Sequence, residues 1–222
     1  MKMKAGKSLG EILHGEVTEF DLKMALREYG FRVPRGLLID AVPASIPINF
    51  PVVLKVSDPR ILHKSELGGV SIGIGSHEAL DAELSSMRKA FPGSHFLIEE
   101  MVTGGVEMIV GVSRNRDFGL SIMVGLGGIF TELYGDAAFR LLPIERQDAI
   151  DMIEGTTLGK FVEGFRGKFI DRESLVKFLL KVSGFAEECR DIIDQMDMNP
   201  VMASGKEITI LDAKLIKING TT

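Results

Sequence analysis

A lysine inside an apolar run is the first residue of this chain that calls for a chemical explanation. In PVVLKV, residues 51–56, Lys55 falls on the same strand face as Val53. An ammonium ion held there is costly unless an anion meets it. The loop that follows, SDPRILHKSELGG, sets Arg60, His63 and Lys64 beside Ser65, Glu66 and the pair Gly68 and Gly69. A basic, glycine-bearing loop next to a strand lysine suits a polyphosphate. Imidazole is a competent nucleophile near neutral pH, so the chemistry open to His63 is phosphoryl transfer. The plainer alternatives are a lysine that snorkels to water and an exposed loop histidine.

A second constellation lies near the end of the chain. SGKE, residues 204–207, has Gly205 at the first central position of a two-residue turn, the preference of a type II′ hairpin. With Ser204 paired to Glu207, the register sets Asn199 directly opposite Asp212, and Asp197 opposite Lys214 on the same face. Opposed residues have Cβ atoms about 4.5–5.5 Å apart, so an amide carbonyl and a carboxylate can share one hard cation. Mg²⁺ suits this arrangement, because it takes one or two protein oxygens and fills its shell with phosphates and water. Asp197 and Lys214 read most simply as a cross-strand ion pair. Glu99 and Glu100 end one strand, and Glu107 begins the next beyond a glycine turn. These carboxylates either hold the ribose and base of a nucleotide or mark two solvated hairpin ends. GLGGIF, residues 125–130, offers backbone N–H groups to an anion.

The elements that must position these residues follow from periodicity and punctuation. Thr18 reads as an N-cap, with Leu22, Ala25, Leu26 and Tyr29 at helical spacing before Gly30. Strands are expected over 51–56, 70–74, 95–100, 106–112, 120–124 and 138–142, and helices over 76–87, 149–153 and 175–189, before a closing hairpin. Residues 41–49, AVPASIPIN, form a Pro-rich connector. Elements in mixed order favour α+β over a doubly wound parallel sheet.

Composition removes other classes. The 222 residues carry 26 basic against 31 acidic side chains, a net charge of −5, which argues against a nucleic-acid binder working through bulk charge. No apolar run reaches about 18 residues, and MKMKAGKSLG lacks an apolar h-region, so a cytoplasmic protein is expected. The lone Cys189 cannot form an internal disulfide and reads as a small buried hydrophobe. The four histidines, at 14, 63, 77 and 95, show no metal-binding spacing, and Gly6-Lys7-Ser8 lacks the first glycine of a P-loop and the strand that must precede it.

Taken in order, the segments TEFDLKMALREYGFRVP (18–34), FPVVLKVSDPRILHKSELGGV (50–70), IEEMVTGGVEMIVGV (98–112), GLSIMVGLGGIFTELYGDAAFRLLPI (119–144) and MDMNPVMASGKEITILDAK (196–214) resemble the ATP-grasp β subunits of ADP-forming acyl-CoA (acetyl-CoA) synthetases, relatives of the succinyl-CoA synthetase β chain. The resemblance implies an α+β ATP-grasp fold over 1–222, with the nucleotide held between two subdomains, 51–104 and the flanking 1–50 with 105–222. It implies that Lys55 contacts nucleotide phosphate, that Glu99, Glu100 and Val102 form the adenine-side hinge, and that Glu107 holds ribose. Asn199 and Asp212 match Mg²⁺ ligands. His63 matches a transiently phosphorylated carrier between a partner subunit and ADP, while Asp197 and Arg140 match an acid near the nucleotide and a phosphate contact. The implied cofactors are Mg²⁺ and ATP or ADP. The implied partner is a CoA-binding α subunit, in an α2β2 assembly, since no CoA-binding domain is recognisable in the chain. HKSEL stands where the family more often has HKSDV, and the family's helix between the first strand and PVVLK is replaced by AVPASIPIN. A non-catalytic ATP/ADP sensor and a stand-alone ATP-grasp ligase are the rival readings; a phosphate-carrying histidine argues against the sensor.

Overall fold

The computed structural model describes residues 9–43, 45–61, 64–127 and 135–218. His63 and residues 128–130 of the glycine cluster therefore lie outside the described residues. Two sheets, antiparallel throughout their ladders, carry everything else. The smaller contains β1 (Gly36–Ile39), β2 (Val52–Ser57), β3 (Val70–Ile74) and β4 (His95–Glu100), in the order β1-β4-β2-β3. Strand alternation divides β2 cleanly: Val52, Leu54 and Val56 enter a core with Leu80, Leu84 and Met87 of helix α3 (His77–Ala90). Ser76 caps that helix through a bond from the Ala79 N–H. Val53, Lys55 and Ser57 are thereby turned to the other face.

The larger sheet is built from β5 (Val106–Asn115), β6 (Gly119–Leu126), β7 (Ala137–Leu141), β8 (Ile193–Ser204) and β10 (Ala213–Lys217), in the order β10-β8-β5-β6-β7, with β9 (Glu207–Ile210) paired to the end of β8. One face, with Met108, Val110, Ile122, Val124, Met196 and Met198, is covered by helices. These are α2 (Glu19–Glu28), α4 (Arg146–Glu154) and α6 (Arg172–Glu188), whose apolar stripes include Leu22 and Leu26, Met152 and Ile153, and Leu175, Leu179 and Val182. Short helices α1 (Leu9–Ile12) and α5 (Leu158–Val162) complete the elements of the described residues. The other face, with Glu107, Ile109, Asp197 and Asn199, lines the cavities shared with the smaller sheet.

The hairpin register agrees with the sequence: Ser204 pairs with Glu207, Lys214 with Asp197, and Gly205 has φ +56°. Asn199 and Asp212 face each other at the gap between β9 and β10, where the Asn199 N–H donates to the Asp212 carbonyl at 3.2 Å. The expected division at residue 50 falls earlier. β1 pairs with β4, and Ile39 and Ile48 pack in the smaller core, whereas Leu22, Leu26 and Phe31 belong to the larger one. Among the described residues no helix is long and apolar enough to cross a membrane. Cys189 is buried, and burial pushes its thiol up to about 12, which keeps it unreactive.

Candidate nucleotide site

The anions that Lys55 requires come from three elements. Its Nζ lies 2.8 Å from Glu19 Oε1 on α2, 3.0 Å from Glu99 Oε2 on β4 and 3.9 Å from Asp212 Oδ2, and it donates to the Leu211 carbonyl at 2.6 Å. Lys23 reaches the same partners, at 2.6 Å from Glu19 Oε1 and 2.8 Å from Glu99 Oε2. Lys64, on the loop after β2, pairs with Glu19 and lies 2.9 Å from Asp212 Oδ2. Three lysines and three carboxylates thus close into one network, in which Glu19, Lys23, Lys55 and Glu99 are buried.

The local sequence explains the convergence. Thr18 and Asp21 form a capping box that starts α2 at Glu19, so Glu19 and Lys23, four residues apart, share the inward stripe with Leu22 and Leu26. Leu211 and Asp212 lie between two strands, which leaves the Leu211 carbonyl free to accept from both Lys23 and Lys55.

Electrostatics follow from burial and proximity. Burial opposes the charge on Glu19, but Lys55, Lys23 and Lys64 outweigh it and hold its carboxyl well below the usual range. Burial likewise opposes the charge of Lys55, and Glu19, Glu99 and Asp212 overcome it to raise its pKa. Lys23 is pushed down, first by burial and then by the neighbouring Lys55 ammonium. Asp212 is pushed up by burial and then by Glu19, despite the lysines. Asp197 is raised by burial and then by Asp212, and Lys214 offsets this only in part. Asp197, Asn199 and Asp212 line one cavity and present hard oxygen donors, the type that suits a divalent cation such as Mg²⁺.

Because Glu19 is depressed below its ordinary value of 4.5, it contributes stability that is fully present above about pH 4.5 and is lost as the pH falls below it. Asp212 and Asp197, being raised, act with the opposite sign and are relieved by acid. Urea midpoints measured between roughly pH 5 and 3 should therefore fall less steeply for Glu19→Gln than for wild type. Parallel curves would contradict this assignment.

Two cavities meet at the network. The smaller, ≈ 390 Å³, is lined by Lys55, Glu99, Glu100, Val102 and Glu107, so the structure brings together the residues expected at the base and ribose. The larger, ≈ 760 Å³, is lined by Ser57, Lys64, Asp197 and Asn199; Asp212 lines both. The two glutamates at the end of β4 differ in availability. Glu100 pairs at 2.9 Å with Arg35, whose side chain is 67% exposed, and such surface pairs contribute only about 0–1 kcal/mol. Glu100 can therefore exchange this partner for a ligand. Glu99 is committed to two buried lysines, and stripping one partner from a buried pair costs about 3–5 kcal/mol. Its carboxylate orients Lys55 and Lys23.

Arg140 is not brought to either cavity. On β7 it is Phe139 that faces the open side, beside Met123 and Asp197, while Arg140 points the other way, with Nε 3.7 Å from Asp148 of α4. Arg60 lines the larger cavity, but its guanidinium is paired with Asp58 at 2.6 Å. Glu19 and Lys23 were not singled out by type and spacing, although both interrupt the apolar stripe of α2 four residues apart.

Residues 13–216 match the model of the ATP-grasp domain family. The chain is 36% identical over 233 residues to the β subunit of acetate–CoA ligase [ADP-forming] II from Pyrococcus furiosus, covering 97% of this chain and 99% of that protein. The chain belongs to the ATP-grasp β subunits of the ADP-forming acetate–CoA ligases. It is thereby a ligase subunit with an ATP-grasp fold. In the Archaeoglobus fulgidus acetate–CoA ligase [ADP-forming] II the same region is 34% identical and spans 30% of a longer chain. A solved structure of acetyl-coenzyme A synthetase 1 from Ca. Korarchaeum cryptofilum superimposes with a TM-score of 0.83 at 34% identity, covering 95% of this chain and 100% of that one. That protein was solved with coenzyme A and Mg-AMPPCP, with its phosphohistidine segment pointing towards the nucleotide binding site.

Proposed function

We propose that this β subunit binds ADP or ATP with Mg²⁺ and, together with a CoA-binding α subunit, interconverts acyl-CoA, ADP and phosphate with the free acid, CoA and ATP. The observation that carries this reading is the closed network of Lys23, Lys55 and Lys64 with Glu19, Glu99 and Asp212 at the junction of the two cavities. The base and ribose occupy the smaller cavity between Val102, Glu100 and Glu107, and the phosphates run past Lys55 into the larger one. Asn199 and Asp212 would hold Mg²⁺, with Asp197 beside them, and the metal would supply neutralisation of phosphate charge. Lys64, which pairs with Asp212, would exchange that partner for a nucleotide phosphate.

His63, covalently next to Lys64, carries the phosphoryl group between the partner's site and ADP. Its imidazole nitrogen forms the N–P bond as the donor's P–O bond breaks, and a terminal oxygen of ADP later displaces it. Lys55 contributes by electrostatics, neutralising charge spread over the transferring oxygens. The β-subunit names of the two P. furiosus relatives support a partner subunit, and the assembly proposed with it is an α2β2 hetero-oligomer in the cytoplasm.

Calorimetric titration with ADP, with and without Mg²⁺, tests the metal assignment. Wild type should bind Mg·ADP more tightly than ADP alone, and Asp212→Asn should lose most of that difference. Equal metal dependence in the two proteins would remove Asp212 from the metal site.

A further inference from the structure

On β2 the residues that face the cleft follow a gradient: Val53 lines the smaller cavity, Lys55 sits in the charged network, and Ser57 lines the larger cavity. Successive residues on one strand face are separated by roughly 6.5 Å, so Ser57 lies one such step beyond Lys55, on the side away from the base and ribose. Ser57 is only 3% exposed, and its Oγ is buried without a hydrogen-bond partner among the described residues. Its neighbour does not satisfy it. The Asp58 oxygens are taken by Arg60 Nε at 2.9 Å and by Ser94 Oγ at 2.9 Å.

A buried hydroxyl is almost always paired, and an orphan on the wall of a binding cleft calls for a ligand atom to complete it. We propose that the Ser57 hydroxyl donates to the terminal phosphoryl group of the bound nucleoside triphosphate, and so helps the site to distinguish triphosphate from diphosphate. The assignment rests on the nucleotide reading above and adds to it a contact made by neither Lys55 nor the metal ligands. A hydroxyl suits that position because it donates one directed bond to a phosphoryl oxygen without adding a charge that would slow departure of the group. Lys55 acts on the phosphates of either nucleotide as well as on the transferring group, whereas Ser57 reaches only the one that is transferred.

The test is calorimetric titration of wild type and Ser57→Ala with Mg·AMPPCP and with Mg·ADP, together with thermal unfolding of both proteins. Loss of a hydrogen bond to a charged phosphate should weaken AMPPCP by about 10- to 100-fold while ADP changes by less than about twofold. Tm should stay level or rise, because the substitution removes an unpaired buried polar atom. Unchanged AMPPCP affinity, or equal losses for both nucleotides, would overturn the proposal and leave the nucleotide reading intact. A lower Tm for Ser57→Ala would show the hydroxyl to be structural and would overturn it equally. Failure of wild type to bind either nucleotide would instead overturn the reading on which it rests, and the proposal with it.

Discussion

With His63 replaced by Ala, acyl-CoA-dependent ATP formation should fall by roughly 10⁴-fold or more while ADP affinity stays within about twofold. The size follows from the role assigned. Removing a covalent nucleophile removes the intermediate itself, and such losses are far larger than those from a lost binding contact. The split follows from the architecture, since the groups expected to grip the nucleotide, namely Lys55, Glu100, Glu107 and Asp212, lie on β2, β4, β5 and the gap before β10 and need nothing from residue 63. Lys64 stays tied to the cleft through Glu19 and Asp212. Parallel loss of binding and turnover would mean that His63 serves only to build the loop.

The second large effect concerns Lys55. Lys55→Met should weaken nucleotide binding by at least about 100-fold, and it should lower stability by about 3–5 kcal/mol because Glu99 and Glu19 lose a buried partner. The two consequences are separable. In the double variant Lys55→Met/Glu99→Gln the network returns to two lysines and two carboxylates, and about 1 kcal/mol or more of stability should return without any return of binding. Urea unfolding measures the first quantity and calorimetry the second. Additive losses of stability would show that Lys55 and Glu99 do not act as a pair.

Much of the site was legible in the chain because it is encoded locally. One glycine turn at 204–207 sets the register that faces Asn199 with Asp212 and Asp197 with Lys214, and the structure keeps that register. The need of Lys55 for an anion is equally local, since it follows from a charge within an apolar strand. The identity of the anions is not, because Glu19 is 36 residues from Lys55 in sequence and the Lys23–Glu99 pair spans 76. Their signature, an Glu19 and Lys23 pair on the inward stripe of α2, is visible only when the polar members of that stripe are weighed with the apolar ones.

Arg140 shows the converse limit. Alternation in AAFRL states that Phe139 and Arg140 face opposite ways but not which way each faces, and hydrophobicity suggests burying the phenylalanine. The sheet does the reverse, leaving Phe139 60% exposed on the open side and turning Arg140 towards Asp148. The division of the core was misplaced for a similar reason. β1 is claimed by its long-range pairing with β4, which no local pattern in the first 50 residues announces.

The most direct test of the account is phosphate labelling of the chain itself. Wild type and His63→Ala are each incubated with Mg²⁺ and γ-labelled ATP, with and without the partner subunit, and protein-bound label is measured after acid and after base treatment. An acid-labile, base-stable label on wild type that is absent from His63→Ala is the predicted result. A folded wild-type protein that binds nucleotide but takes no label, even beside a functional partner, would contradict the carrier role of His63.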